Sequence, residues 1–174
     1  MLTEQQLLHW DTFGFVVLRQ LFSPKEMNAI IEDADEVFDE HRGGQSFDGS
    51  KTEAVLWFME QRQSLTSLAV DDRIYVPIGQ LLGTDFIWAV SAGHLYVGDT
   101  EWHGDRENSN IPRHVKVVMY TQPLTKDSGC LRFIPGSHKP DYQKRLQPLL
   151  AKNGGVSEMP FGVSGPDVPA YSIE

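Results

Sequence analysis

The segment His114-Val115-Lys116-Val117-Val118-Met119-Tyr120-Thr121 points to the fold class, because its side chains alternate as those of a β-strand do. One predicted face carries His114, Lys116, Val118 and Tyr120, and the other carries Val115, Val117, Met119 and Thr121. If the second face packs under helices, the first faces the interior of a barrel. Short segments of β character, bounded by glycine, proline or aspartate turns, also lie at residues 86–90, 94–97, 131–134 and 170–173. Such a series predicts a sandwich or barrel rather than a parallel sheet with crossover helices.

The first part of the chain predicts helices with one strand among them. Thr3 is placed to cap a first helix that ends at Gly14, and the branched residues at 15–18 favour a buried strand. Residues 64–83 predict one or two short helices around Pro77. The chain therefore predicts an α+β architecture, with helices first and antiparallel strands afterwards.

The clearest helix signal follows Ser23. Ser23, Pro24 and Glu26 combine a serine cap, a proline at the first helical position and a glutamate that completes a capping box. Apolar residues then recur at three- and four-residue spacing until Gly43-Gly44. This pattern predicts one amphipathic helix with an apolar face toward the core.

Length and composition predict one acidic domain. The 174 residues suffice for a continuous core, and we expect a single domain with a helical part at 1–83 and a β part at 84–174. Its net charge of -9 disfavours a nucleic-acid surface. The single cysteine and the lack of a long apolar run predict a cytoplasmic protein that neither forms an internal disulfide nor crosses a membrane.

Trp102-His103-Gly104-Asp105 lies between two predicted strands and can supply metal ligands. Residues i and i+2 of an extended segment project to the same side, so the His103 imidazole and the Asp105 carboxylate can converge on one ion. Two histidines and one carboxylate form the facial triad of non-haem iron(II) oxygenases, which leaves positions open for further ligands. A histidine and an aspartate at this spacing also occur by chance in many chains, so the pair alone does not establish a metal site.

A second segment makes the pair more specific. It reads Asp127-Ser128-Gly129-Cys130-Leu131-Arg132-Phe133-Ile134-Pro135-Gly136-Ser137-His138. Together with the H-x-D pair it closely resembles the phytanoyl-CoA dioxygenase family of iron(II)/2-oxoglutarate oxygenases. The N-terminal residues are similar to the same family, in the order helix, strand and capped helix. The resemblance spans residues 2–140 in similar order and spacing.

The resemblance implies a double-stranded β-helix, or jelly roll, with helices packed on its larger sheet. It also implies that His103 and Asp105 hold Fe(II), and that 2-oxoglutarate and dioxygen are the co-substrates with which a small-molecule substrate is hydroxylated, with release of succinate and carbon dioxide. The family's third iron ligand is a histidine on a late strand, followed by an arginine that binds 2-oxoglutarate. No histidine follows His138 here. We therefore expect either a fragment of a longer oxygenase or a short form without the final strands, and the exposed sheet edges of a short form favour the fragment.

Four further residues are candidates for the same site. Lys116 and Tyr120, on the inward face of their strand, are candidates for contacts with the co-substrate. His94 and Trp102 are candidates for the substrate pocket. A surface lysine, a core tyrosine and a hydrogen-bonded core histidine are the commoner interpretations of such positions.

The missing third ligand leaves other interpretations open. His138 is an alternative ligand, although a histidine after Pro-Gly-Ser is more typical of a hydrogen bond that stabilises a turn. A non-catalytic jelly-roll domain for binding or interaction is a second function compatible with the sequence. A cupin-type metal enzyme is a third, and it would require His94 or His114 to join His103.

Overall fold

The computed structural model describes residues 1–98, 113–125, 128–142 and 144, which divide into two compact units. The first unit comprises Met1–Leu2, Leu18–Gly98 and Arg113–Pro123. In the second unit, the described residues are Thr3–Val17, 124–125, 128–142 and 144. None of the helices in these ranges has the length and apolar character needed to cross a bilayer.

Two helices begin at capping boxes: the one at Ser23 is predicted from the sequence, and at Thr3 the predicted cap is completed by the Gln6 side chain. Helix α1 spans Glu4–Phe13 and helix α2 spans Pro24–His41. The hydroxyls of Thr3 and Ser23 each accept a hydrogen bond from the backbone N–H three residues later, at 3.2 and 3.3 Å. These bonds satisfy N–H groups that have no partner within the helix. Gly14 ends α1 in the left-handed conformation, with φ 87°, which glycine adopts without steric cost.

Short elements follow α2 in the first unit. Strand β1 spans Glu53–Leu56, α3 spans Gln63–Ser67, α4 spans Asp72–Leu82 and β2 spans Ala92–Leu95, with 3₁₀ turns at Met59–Gln61 and Leu68–Val70. Helix α4 starts at the Asp71 cap, continues through Pro77 and ends at Gly83. The prediction of short helices around Pro77 is confirmed.

The two strands form an antiparallel pair over the core of the first unit. Val55 lies opposite Gly93, and both are buried, whereas Ala54 lies opposite His94 on the exposed face. The apolar face of α2 packs into the same core, as its spacing predicts. Ten buried residues make up this core: Phe22, Ile30, Ala34, Val37, Phe38, Val55, Phe58, Leu65, Leu68 and Ile74. Helices together with a two-stranded sheet are therefore what the described residues contain.

Most of the predicted strands are wrong in the described residues. Residues 15–18, 86–90 and 114–121 form no strand, residues 131–134 contain only an isolated β-bridge at Phe133, and the strand predicted at 94–97 is β2, which ends at Leu95. The prediction at 170–173 lies outside the described residues.

Side-chain contacts replace the expected ladders. Phe15 stacks on Phe133 with ring centroids 4.7 Å apart, and Trp88 donates to the Glu60 carboxylate at 2.8 Å. Met119 packs against the core from the segment 113–120. A β-like pattern records which side of a segment is apolar, but a strand also needs a hydrogen-bonding neighbour.

Candidate functional site

The predicted iron ligands His103 and Asp105, together with Trp102, lie outside the described residues. Their roles stay predictions. The described candidates are His94, Lys116 and Tyr120, all in the first unit.

Strand β2 places His94 on the exposed face of the sheet. Its neighbour Gly93 faces the core, where a Cβ atom would overlap the ring of Phe58. Because only a glycine allows this close approach, the strand can lie directly on the core. The alternation of the strand then turns His94 outward. On the same face, the His94 ring stacks on Tyr96, with centroids 5.1 Å apart and planes 9° from parallel.

Lys116 lies near enough to His94 to affect its protonation. Partial burial of the imidazole lowers the pKa of His94 below its ordinary 6.5, and the positive charge of Lys116 lowers it further. The imidazole is therefore neutral at neutral pH. These two side chains, which the sequence assigns separately to substrate and co-substrate contacts, therefore interact electrostatically.

The segment around Lys116 has one side toward the core and one toward solvent. Val115 and Met119 are partly buried, whereas Lys116 and Tyr120 are exposed. The face predicted to pack under helices is thus partly buried at these two positions but not at Val117, which is 50% exposed, and the face predicted to point into a barrel is exposed at Lys116 and Tyr120.

His138 lies against the end of α1, within the second unit. Its Nε2 atom is 3.2 Å from the Asp11 carbonyl oxygen, and its ring occupies the space that a Cβ atom of Gly14 would need. The Gly136 N–H donates to the Phe13 carbonyl at 3.0 Å. The Pro-Gly-Ser-His turn thus satisfies carbonyl groups that the helix leaves without partners. This contact agrees with the structural interpretation of His138 and argues against its use as a third iron ligand.

The other histidines of the described residues do not take part in a group of possible metal ligands either. His9 packs between Phe13 and Phe15, with ring centroids at 4.7 and 5.1 Å, and His41 lies exposed in the last turn of α2. His114 is exposed. Over residues 1–98, 113–125, 128–142 and 144, no three histidine, cysteine, aspartate or glutamate side chains are grouped to hold a metal ion.

One network of hydrogen-bonded side chains near β2 could not be predicted from any short sequence motif. The buried Ser91 hydroxyl accepts from the Met59 N–H at 2.9 Å and donates to Glu60, which also accepts from the Trp88 indole. Burial opposes ionisation of Glu60, but the hydrogen bonds from Ser91 and Trp88 outweigh it and lower the pKa of this carboxyl. The network fixes the start of β2. Each of its hydrogen bonds joins residues that are 28 to 32 positions apart in the chain.

Comparison with known proteins settles the family. The sequence matches the family model described as Phytanoyl-CoA dioxygenase (PhyH) over residues 10–154, which is most of the chain. The chain belongs to the phytanoyl-CoA dioxygenase family. Searches of curated proteins and of solved structures found no match.

Membership in the phytanoyl-CoA dioxygenase family gives the H-x-D pair its chemical context. Proteins of this family generally use Fe(II) and 2-oxoglutarate. His103 and Asp105 lie within the matched range. One imidazole nitrogen and one carboxylate oxygen are donor types that ferrous iron accepts, so these residues fit the metal chemically.

Proposed function

We propose that this chain is an Fe(II)/2-oxoglutarate-dependent dioxygenase that hydroxylates a small organic substrate and releases succinate and carbon dioxide. The observation that carries the proposal is the family match over residues 10–154, which includes the H-x-D pair. We also propose that the fold includes a jelly roll, and that β1, from the first part of the chain, and β2 contribute their antiparallel pair to it.

His103 and Asp105 would hold the iron in this proposal. When bound, iron and 2-oxoglutarate would activate dioxygen, which is the oxidant: one of its oxygen atoms enters the hydroxylated product and the other enters succinate. The side chains of the protein bind and orient the small molecules and exclude water around them. His138 has no place among the ligands, since its Nε2 atom faces the Asp11 carbonyl.

The remaining candidates keep the roles that the sequence suggests. Lys116 and Tyr120 are proposed to contact 2-oxoglutarate, and His94 and Trp102 to line the substrate pocket. The positive charge of Lys116 lowers the pKa of His94, so the two side chains influence each other electrostatically. A neutral His94 can donate one hydrogen bond and accept another, which suits contact with a polar substrate group.

The test is an anaerobic titration of the protein with Fe(II) and 2-oxoglutarate, followed by visible absorption. Chelation of iron by 2-oxoglutarate gives a charge-transfer band in this range. We expect His103→Ala and Asp105→Ala to abolish the band and to weaken iron binding by about 100-fold or more, because loss of an outer contact alone costs about 10- to 100-fold.

The matched control for this titration is His41→Ala. His41 is exposed at the end of α2 and is expected to leave the band unchanged. A band that survives in His103→Ala would place the iron elsewhere. If the unsubstituted protein gave no band, the proposal would fail in favour of a non-catalytic binding domain.

A further inference from the structure

The loop between α2 and β1 borders an open cavity of about 420 Å³ in the first unit. This volume falls within the range of about 300–1,000 Å³ that is usual for small-molecule sites. The end of α2, the loop and the start of β1 all contribute to its lining, which includes His41, Phe47 and Glu53. Its residues are distinct from the iron ligands and from the other candidates of the proposed oxygenase site.

Glu53 is the most unusual residue of the lining. Its Oε2 atom accepts from Arg42 at 3.2 Å, whereas its Oε1 atom is buried and has no hydrogen-bond partner in the part of the chain that the structure describes. A buried acceptor without a partner costs about 1–3 kcal/mol, and more when it is charged. Rotation about the terminal torsion of a glutamate is soft, so Oε1 can meet a donor that enters the cavity.

Arg42 cannot neutralise this region alone. Its three guanidinium nitrogens donate to Glu53, to Asp39 and to the carbonyl of Gln45. One positive charge is thus shared between two carboxylates. The last turn of α2 adds the negative end of the helix dipole, which favours cations.

The other charged groups of the lining offset each other. Lys51 and Asp48 both line the cavity. Hydrogen bonds from Ser50 lower the pKa of Asp48, and the charge of Lys51 lowers it as well. The charges of the lining therefore balance, and Asp39, which shares Arg42 from outside the lining, adds one negative charge beside it. Phe47 adds an aromatic ring, 38% exposed, whose face attracts cations.

We propose that this cavity binds a small organic cation that carries N–H donors, with Glu53 as its acceptor and Phe47 against its apolar or planar part. The site is independent of the proposed iron centre, so it can be tested without bound metal.

The experiment uses three small probes of similar size, each titrated into the protein and followed by NMR chemical shifts. Methylguanidinium is a cation with N–H donors, N-methylurea is its neutral counterpart, and tetramethylammonium is a cation without donors. We expect methylguanidinium to shift the resonances of the loop and of Glu53, and the other two to bind at least about tenfold more weakly. Equal binding of all three probes, or no binding of methylguanidinium, would overturn the proposal. A water molecule would then be sufficient as the hydrogen-bond partner of Glu53 Oε1.

Variants assign the binding to the named side chains. Glu53→Gln should weaken binding of methylguanidinium by about tenfold or more, because it removes the charge and keeps the shape. Phe47→Leu should weaken it several-fold, and it provides a test if Glu53→Gln disturbs folding through Arg42. Glu32→Gln, on the exposed side of α2, is the matched control and should bind as the unsubstituted protein does. Unchanged binding in Phe47→Leu and in any folded Glu53→Gln protein would contradict the assignment.

Discussion

Helix α2 and the pair of β1 and β2 are held together by contacts of different range. At the start of α2, Ser23 and Glu26 bond to each other's backbone N–H groups within a single turn. The strand pair instead depends on distant residues: Thr52 and Val97, 45 residues apart, bond at 3.0 Å, and the Phe58 ring packs directly on Gly93. The helix thus begins from local bonds, whereas the sheet requires the chain to have already folded back. The two meet in one core, where Phe38 of α2 packs on Phe58.

The largest expected effect is at this meeting point. Phe38 is 6% exposed, and its ring centroid lies 4.8 Å from that of Phe58. We expect Phe38→Ala to lower the free energy of unfolding by about 3–5 kcal/mol, since the substitution leaves a cavity that the core fills only in part. Urea denaturation followed by circular dichroism measures the change.

Val70→Ala is the control for Phe38→Ala. Val70 is 70% exposed in the same unit, and we expect its truncation to change the stability by less than about 0.5 kcal/mol. If Phe38→Ala lowered the free energy of unfolding no more than Val70→Ala does, α2 and the strand pair would not share a core.

A smaller effect is expected at Gly93, where the strand pair depends on close approach. Gly93→Ala should cost about 1–3 kcal/mol, because the added methyl group displaces the Phe58 ring from a packed core. The same substitution in a Phe58→Leu background should cost less, since the smaller side chain leaves room for the methyl group. A double-mutant cycle by urea denaturation measures this coupling.

Gly79→Ala provides the matched glycine substitution in a helix. In α4, the added Cβ atom would meet only the Phe86 ring, at an ordinary 3.9 Å. We expect it to stabilise the protein by about 0.5–1 kcal/mol, since alanine suits a helix interior better than glycine. If Gly93→Ala and Gly79→Ala changed the free energy of unfolding equally, the effect at Gly93 would not arise from contact with Phe58.

The difference between local contacts in the helices and long-range contacts in the strand pair explains which parts of the fold the sequence predicts. The starts of α1 and α2 follow from residues three apart, and the sequence alone is sufficient to find them. The strands do not follow in this way. The apolar patch at 55–58 has no readable role in the sequence, yet it contains the end of β1 and the ring that packs on Gly93. Residues 86–90 have a β-like composition, but they are held by the Trp88 contact with Glu60 and form no strand.

The candidate site shows a similar division. The H-x-D pair and the Pro-Gly-Ser-His turn are local motifs, and their family is confirmed by the match over residues 10–154. The electrostatic effect of Lys116 on His94 is a product of the fold. So is the burial of the Glu53 Oε1 atom, which has no hydrogen-bond partner among the described residues. No spacing in the sequence indicates either, because both depend on which distant segments lie side by side.

The smallest expected effect concerns the start of α2, where one distant residue joins the local cap. Arg73 donates to Glu26 at 2.8 Å and to Asp71 at 2.7 Å. The hydrogen bond from Arg73, followed by those from Ser23, lowers the pKa of Glu26 from 4.5 to about 2. The hydrogen bond from Arg73 likewise lowers the pKa of Asp71 from 3.8 to about 2.

Lowered carboxyl pKa values stabilise the folded state above the unfolded values, and this contribution is lost as the pH falls toward the folded values. We therefore expect the stability difference between the unsubstituted protein and Arg73→Gln to be constant above about pH 5 and to shrink as the pH falls to about 2. The groups are partly exposed, so the difference should be small and should decrease with added salt. Urea denaturation across this pH range measures it, with Lys25→Gln as an exposed control whose stability difference does not narrow in this way. A difference independent of pH would mean that Arg73 acts through its contact with the Phe22 ring, 4.2 Å away, rather than through the two carboxylates.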